Sequence, residues 1–91
     1  MQPKISIAMA TYNGAKYLQE QLDSFLSQTR LPDELIVSDD CSTDNTIELL
    51  LAFKNLVPFE VIVIRNVNNV GYTRNFEKAI AVCDGDIIFL S

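Results

Sequence analysis

The sequence contains no histidine, and its two cysteines, Cys41 and Cys83, stand far apart without a Cys-x-x-Cys pair. Zinc-finger ligation and both Ser-His and Cys-His nucleophilic chemistry are thereby excluded. Basic residues are few: seven Lys and Arg against twelve Asp and Glu give a net charge of −5 and a pI near 4.4. That is the wrong sign for tracking a phosphate backbone by counter-ion release, so nucleic acid is not an expected partner. No apolar run approaches the roughly 20 residues of a membrane span, and Met1-Gln2-Pro3-Lys4 leads straight into a strand-like run instead of a signal peptide. The expectation is a cytoplasmic protein. Glycine is sparse as well. Gly14 stands alone after the first apolar run, and neither Gly-x-Gly-x-x-Gly nor a Gly-Lys-Ser/Thr loop occurs, which excludes dinucleotide and Walker-type phosphate cradles.

What is present reads as one globular unit. With 91 residues, 48% hydrophobic and 21% charged, the chain can bury a single core and has no length for a second lobe. Ile5 to Ala10 is a short, mostly apolar run that stops at the turn formers Thr11-Tyr12-Asn13-Gly14, a buried strand followed by a loop. From Ala15 the period changes, and Leu18, Leu22, Phe25 and Leu26 mark an amphipathic helix ending before Leu31-Pro32. The cycle then repeats. Glu34 to Ser38 is strand-like, Asp39 to Asp44 is a polar loop, and Ile47, Leu50, Leu51 and Phe53 belong to a second helix, for which Asn45 and Glu48 have capping-box spacing.

Val61 to Ile64 is apolar throughout, the pattern of a strand covered on both faces. An Asn-rich loop, 66–71, leads to a third helix marked by Phe76, Ala79, Ile80 and Cys83, with Gly85 as its C-cap glycine, and Asp86 to Ser91 begins a fourth strand. Cys83 is expected to be structural. Strands alternating with helices predict right-handed crossovers and an open parallel α/β sheet with helices on both faces. In such sheets ligands bind beyond the carboxyl ends of the strands, where the polar loops fall.

The loops hold Thr11, Tyr12 and Asn13, the adjacent acidic pair Asp39 and Asp40, and one basic residue, Arg74, at the head of the third helix. An aromatic ring can stack on a base, a carboxylate can accept an imide N–H, and Arg can pair with phosphate or a base carbonyl. A pyrimidine nucleotide fits that inventory.

Ser6-Ile7-Ala8-Met9-Ala10-Thr11-Tyr12-Asn13-Gly14 and Ile36-Val37-Ser38-Asp39-Asp40-Cys41-Ser42-Thr43-Asp44-Asn45-Thr46 together resemble the opening of a family 2 glycosyltransferase of the GT-A fold. The resemblance continues through Asn69-Val70-Gly71-Tyr72-Thr73-Arg74-Asn75 and through Gly85 to Ser91. It covers all of this chain and corresponds to the amino-terminal, nucleotide-sugar-binding half of the family's domain, so 1–91 is expected to be that half of a truncated Rossmann-like sheet ordered 3-2-1-4. The resemblance implies a site for a UDP- or dTDP-sugar in which Thr11 and Tyr12 lie against the base and Asp40 hydrogen-bonds it. Asp39 would support the loop or reach the ribose side, and Arg74 would contact the base or diphosphate. The parent would be bacterial and inverting, with a saccharide, lipid-linked or surface-polysaccharide acceptor and a place in the cytoplasm or at the periphery of the inner membrane.

The resemblance also implies a divalent metal, Mn or Mg, held by an Asp-x-Asp motif, and a later carboxylate as base. Both are expected beyond Ser91, so no catalytic residue and no metal ligand is assigned to this chain, and catalysis by it alone is not expected. Asp84-Gly85-Asp86 has Asp-x-Asp spacing but falls at the amino end of the fourth strand, where helix capping and a turn explain it better. Asp44 and Ser42 read as helix-start residues, and Asn66, Asn68 and Asn69 as loop formers. Cys41 takes the place of a glycine common in the family, and a positive φ there would carry mild strain. A second reading is a catalytically incompetent, non-enzymatic module that keeps a vestigial nucleotide pocket or self-associates through the apolar edge 86–91. A receiver-like phosphoacceptor domain fits less well, since it places its acidic pair after the first strand and needs a late lysine.

Overall fold

The computed structural model describes residues 2–91. The elements follow one another as β1 (Ile5–Thr11), α1 (Ala15–Leu26), β2 (Glu34–Asp39), α2 (Thr46–Leu56), β3 (Glu60–Arg65), α3 (Tyr72–Val82) and β4 (Ile87–Leu90). All strand pairs are parallel and the sheet order is β3-β2-β1-β4, as the resemblance implied. β1 and β2 run in register from Ser6↔Glu34 to Thr11↔Asp39, and Asp39 continues to Arg65 of β3, so the loops after the three strands start level with one another.

The two faces of the sheet are filled by different helices, because alternate strand residues point to opposite sides. Ile7 and Met9 of β1, Leu35 and Val37 of β2 and Val61 of β3 pack with Leu18, Leu22 and Phe25 of α1 and Leu50 and Phe53 of α2. Ala8 and Ile36 face the other way and meet Ala79 of α3, with Ile62, Ile64, Ile80 and Cys83 against them. Two successive crossovers step outward from β1 to β3 and the third returns past β1 to β4. With right-handed connections, reversing the direction of travel must move the helix to the opposite face, and α3 lies there. Between β1 and β4 the strand order therefore reverses, which places the crevice of an open α/β sheet at the carboxyl end of β1.

Four local expectations are corrected. β3 is covered on both faces only in part: Val61 is buried, and Ile62 to Ile64 are half-buried on an edge strand, with Val63 on the α1/α2 side and Ile62 and Ile64 on the α3 side. The first turn of α2 is capped by Asp44 instead of Asn45, whose side chain makes no capping bond. The Asp44 carboxylate accepts from the backbone N–H and hydroxyl of Thr46 and from the N–H of Ala15 at 3.1 Å, so a single side chain serves the starts of α2 and α1. β4 is confined to Ile87–Leu90. Gly85 is not a left-handed C-cap, since α3 stops at Val82 with Cys83 extended (φ −62°, ψ 136°) and Gly71 is the glycine with positive φ among the described residues.

Gly85 answers to a different constraint. Its N–H donates to Ser6 Oγ at 2.8 Å, and a Cβ there would meet Ser6 Oγ, lie 2.8 Å from Ser6 N and 3.0 Å from Lys4 O. Asp84 and Asp86 belong to the same joint at the amino end of the sheet. Lys4 donates to both, through Nζ at 3.1 Å and its backbone N–H at 2.8 Å, and the buried Glu34 accepts from Ser6 Oγ and the Asp84 N–H. The Asp-x-Asp spacing is thus spent on fastening β4 and the α3–β4 turn to β1 and β2. Cys83 packs beside the α3 face, where burial pushes its thiol up from the ordinary value.

Candidate functional site

At the carboxyl end of the sheet the two adjacent aspartates part company. Asp39 is the last residue of β2 and points to the α1/α2 side, fully buried. Its carboxylate accepts from Thr11 Oγ1 at 2.7 Å, the Ser42 N–H at 2.9 Å and the Ser42 hydroxyl. It ties the end of β1 to the loop after β2 and does not face the crevice, so of its two expected roles the structure shows loop support. Asn13 is similar. With φ 47° its Oδ1 accepts the Thr43 N–H at 2.7 Å, while its own N–H donates to Ser42 Oγ at 2.8 Å. Its side chain is committed to joining the first loop to the second.

Asp40 turns the other way, toward the loop before α3. Oδ1 accepts the Val70 N–H at 2.8 Å and Asn66 Nδ2 at 3.1 Å, and Oδ2 accepts the Gly71 N–H at 3.0 Å. The backbone carbonyl of Asp40 accepts Asn69 Nδ2 at 2.6 Å. Gly71 is the N-cap of α3 and has φ 89°, which lets two successive N–H groups converge on one carboxylate at a helix start that favours negative charge. Behind this contact lies a buried amide network. Asn66 Nδ2 also donates to Asn75 Oδ1 at 3.0 Å, Asn75 Nδ2 to the Thr11 carbonyl at 3.2 Å, and Lys78 Nζ to Asn66 Oδ1 at 3.2 Å. Cys41 has a positive φ of 62°, the condition under which a cysteine there carries mild strain, and its thiol donates to the Asn66 carbonyl at 2.9 Å.

These ties leave a cleft of about 700 Å³ across the end of β1. Thr11 lines it from the end of β1, Tyr12, Asp40, Asn69 and Gly71 from the loops, Tyr72 from the start of α3, and Tyr17, Leu18 and Gln21 from α1. Tyr12, Tyr17 and Tyr72 are 59%, 64% and 76% exposed, so three rings from three segments stand free around one space. Tyr72 is steadied edge-on by Phe76 at 5.1 Å between centroids. Of the six site residues expected from sequence, Thr11, Tyr12 and Asp40 line the cleft; Asn13 and Asp39 hold the loops behind it. Arg74 is exposed on the first turn of α3, outside the lining.

The sequence reading missed Tyr17 and Gln21. They sit four apart on α1, hence on one helix side, and out of phase with the buried stripe of Leu18, Leu22 and Phe25. An off-stripe aromatic beside a polar residue at that spacing was the available signal. Asn66 and Asn75 gave none, because their role depends on contacts between segments.

The donor set does not suit a metal ion. Each of the two central carboxylates is surrounded by N–H and O–H donors, which a cation would have to displace, and no group of three His, Cys, Asp or Glu gathers among the described residues. The same donors act on the proton equilibrium. Burial pushes the Asp40 carboxyl up, but the N–H groups of Val70, Asn66, Gly71 and Asn69 outweigh it and hold it below its ordinary value; the Thr46 hydroxyl does the same for Asp44. A carboxylate with a lowered folded-state value stabilises the fold above its unfolded value, and that contribution is lost as pH falls through the folded one. The urea midpoint is therefore expected to fall between about pH 5 and pH 2.5, with a shallower fall in Asp44→Asn. An unchanged midpoint across that range would contradict these contacts.

Against known proteins, the model of the family described as Glycosyl transferase family 2 matches residues 6–91. The chain is 36% identical over 88 residues to the abequosyltransferase RfbV of Salmonella typhimurium, covering 94% of this chain and 26% of that protein. It is 36% identical over 77 residues to the dTDP-rhamnosyl transferase RfbG of Shigella flexneri, covering 84% and 27%. Among solved structures it is similar to S. aureus TarS in complex with UDP, with a TM-score of 0.86, 29% identity, and 97% of this chain and 26% of that one covered. The chain thus spans about a quarter of the length of these relatives. With the sheet order and the family match in agreement, the chain belongs to glycosyl transferase family 2 and has the fold of the GT-A glycosyltransferases.

Proposed function

We propose that the cleft receives the nucleoside end of a nucleotide-diphosphosugar, and that the chain is the donor-binding half of a transferase acting on a saccharide, lipid-linked or surface-polysaccharide acceptor. One observation carries the reading: Asp40, held by the loop before α3, lines a cleft with three exposed tyrosines at the reversal point of the sheet. The rings offer stacking surface, and the carboxylate offers an acceptor for a base N–H. The lining carries no basic side chain, which suits a neutral base better than a diphosphate. Arg74, three residues beyond Gly71, is the basic residue proposed for the phosphates. UDP in TarS and the dTDP-sugar in the name of RfbG support a pyrimidine donor. The divalent metal and the base for an inverting displacement are assigned to a longer parent, in the cytoplasm or at the inner membrane.

The test is a titration of the chain with UDP, dTDP and GDP, with and without Mn²⁺, followed by amide NMR. Stacking and one charge-assisted hydrogen bond are each worth about 1–3 kcal/mol, so the expected Kd is nearer millimolar than micromolar. Shifts are expected at Thr11, Tyr12, Asp40 and Tyr72, with a pyrimidine preference and little response to Mn²⁺. No shift at about 10 mM nucleotide, at the weak end of that range, would overturn the reading. A second reading is favoured by β4, whose four apolar residues are all exposed: self-association through this edge. Light scattering on the same concentrated samples decides it, a monomer removing it.

A further inference from the structure

We infer that Asn66 is a positioning residue that sets base selectivity, by leaving Asp40 able to accept one hydrogen bond from a ligand and not two. The inference rests on the donor-nucleotide reading above. A carboxylate has about four acceptor positions, two on each oxygen. Oδ1 of Asp40 takes both the Val70 N–H and Asn66 Nδ2, and Oδ2 takes the Gly71 N–H. Oδ1 is full, and one position remains, on Oδ2.

Asn66 is held so that this cannot relax. It is buried, and both hydrogens of its amide nitrogen are used, one on Asp40 and one on Asn75 Oδ1, while its Oδ1 accepts from Lys78 Nζ. Turning the amide over would set its oxygen against two acceptors and its nitrogen against an ammonium. The backbone of Asn66 is fixed too, its N–H donating to the Asp39 carbonyl at 2.9 Å and its carbonyl accepting the Cys41 thiol.

A base that presents a single N–H, such as the imide of uracil or thymine, fits the one free position. Guanine presents two donors side by side, N1–H and the 2-amino group, and pairs with a carboxylate only if both oxygens are open. In this cleft one of its donors is left without a partner. Hypoxanthine is the discriminating probe: it has the size of guanine and lacks the 2-amino group.

The experiment measures the Kd of UDP, IDP and GDP for the chain and for Asn66→Ala, Asn66→Leu and Asn75→Ala, with a thermal melt of each. The chain is expected to bind IDP about tenfold more tightly than GDP, the usual penalty for one unpaired donor. Both Asn66 variants remove the second donor from Oδ1, which lets the carboxylate turn toward the cleft with a position open on each oxygen, and they are expected to bring that ratio to about two or below. Asn66→Leu keeps the volume if alanine lets the loop collapse. Asn75→Ala loosens the same network but keeps the bond from Asn66 to Asp40, so it should lower the melting temperature and leave the ratio alone. Equal binding of IDP and GDP by the unaltered chain would overturn the inference, as would an unchanged ratio in both Asn66 variants or a collapse in Asn75→Ala. Failure of UDP to bind would instead overturn the donor-nucleotide reading beneath it.

Discussion

Asp39→Ala is expected to lower the unfolding free energy by about 3–4 kcal/mol, the sum of its lost charge-assisted hydrogen bonds reduced for hydroxyls that find other partners. The carboxylate is fully buried and accepts three donors from two segments. Removing it strands the Ser42 N–H, which has no rotational freedom, and leaves the buried Thr11 and Ser42 hydroxyls without their shared acceptor. A domain of this length has roughly 5–14 kcal/mol in total, so the melting temperature should drop by roughly 15–25 °C. Asp39→Asn separates charge from geometry. Its Oδ1 can still accept from Ser42 N–H, and the hydroxyls can reverse and accept from its amide, so it should lose about 1 kcal/mol. Urea unfolding followed by circular dichroism measures both. A wild-type midpoint for Asp39→Ala would show that the three contacts contribute nothing net, and with it would go the account of how β1 and the second loop are joined.

The three glycines should separate by the space and backbone angle each one has, with Gly85 and Gly71 well ahead of Gly14. Gly85→Ala forces a Cβ against the backbone of Ser6 and Lys4 and against the hydroxyl that its own N–H binds. Backbone cannot move aside as a flexible side chain can, so the expected loss is about 2–3 kcal/mol, in the upper range for overpacking. Gly71 has φ 89° and ψ 164°, a backbone region essentially reserved for glycine, so alanine there costs about 2–3 kcal/mol of strain even with open space around its Cβ position. Gly14 has φ −100° and nothing nearby, so Gly14→Ala should stay within about 0.5 kcal/mol. Thermal melts of the three variants give the ranking, and a Gly14 variant less stable than the Gly85 variant would contradict the packing described at the amino end of the sheet.

The parts of this molecule that are legible in its sequence are those encoded within a short window. The change of period at Ala15 marks α1, the apolar runs mark the strands, and polar loops after each strand direct attention to the end where Thr11, Tyr12 and Asp40 line the cleft. The errors fall where the cause lies elsewhere in the chain. Val61 to Ile64 reads as a buried strand, because an apolar run does not tell whether a neighbour exists on its far side. Gly85 sits where a helix-ending glycine belongs, yet the constraint on it comes from Ser6, 79 residues earlier. Asp39 and Asp40 are adjacent in sequence and opposite in role, since neighbouring strand residues face opposite sides of a sheet. Asn66 and Asn75 look like ordinary loop and helix residues until the fold brings them against Asp40 and the Thr11 carbonyl.

The order of the strands also carries a history. β1 finds β2 across a separation of 28 residues, and β2 finds β3 across a similar one, but β4 reaches β1 only after a span of 82. Closing the longer loop costs more chain entropy, and its return is four short pairings on a strand whose side chains are only partly covered. The three strands β1 to β3, with α1 and α2 against them, can assemble from neighbouring contacts alone and present a finished edge. β4 closes that edge and α3 covers the open face over Ala8 and Ile36, and because Gly71 and Tyr72 travel with α3, one wall of the cleft is supplied by the part of the chain whose pairing closes the longest loop.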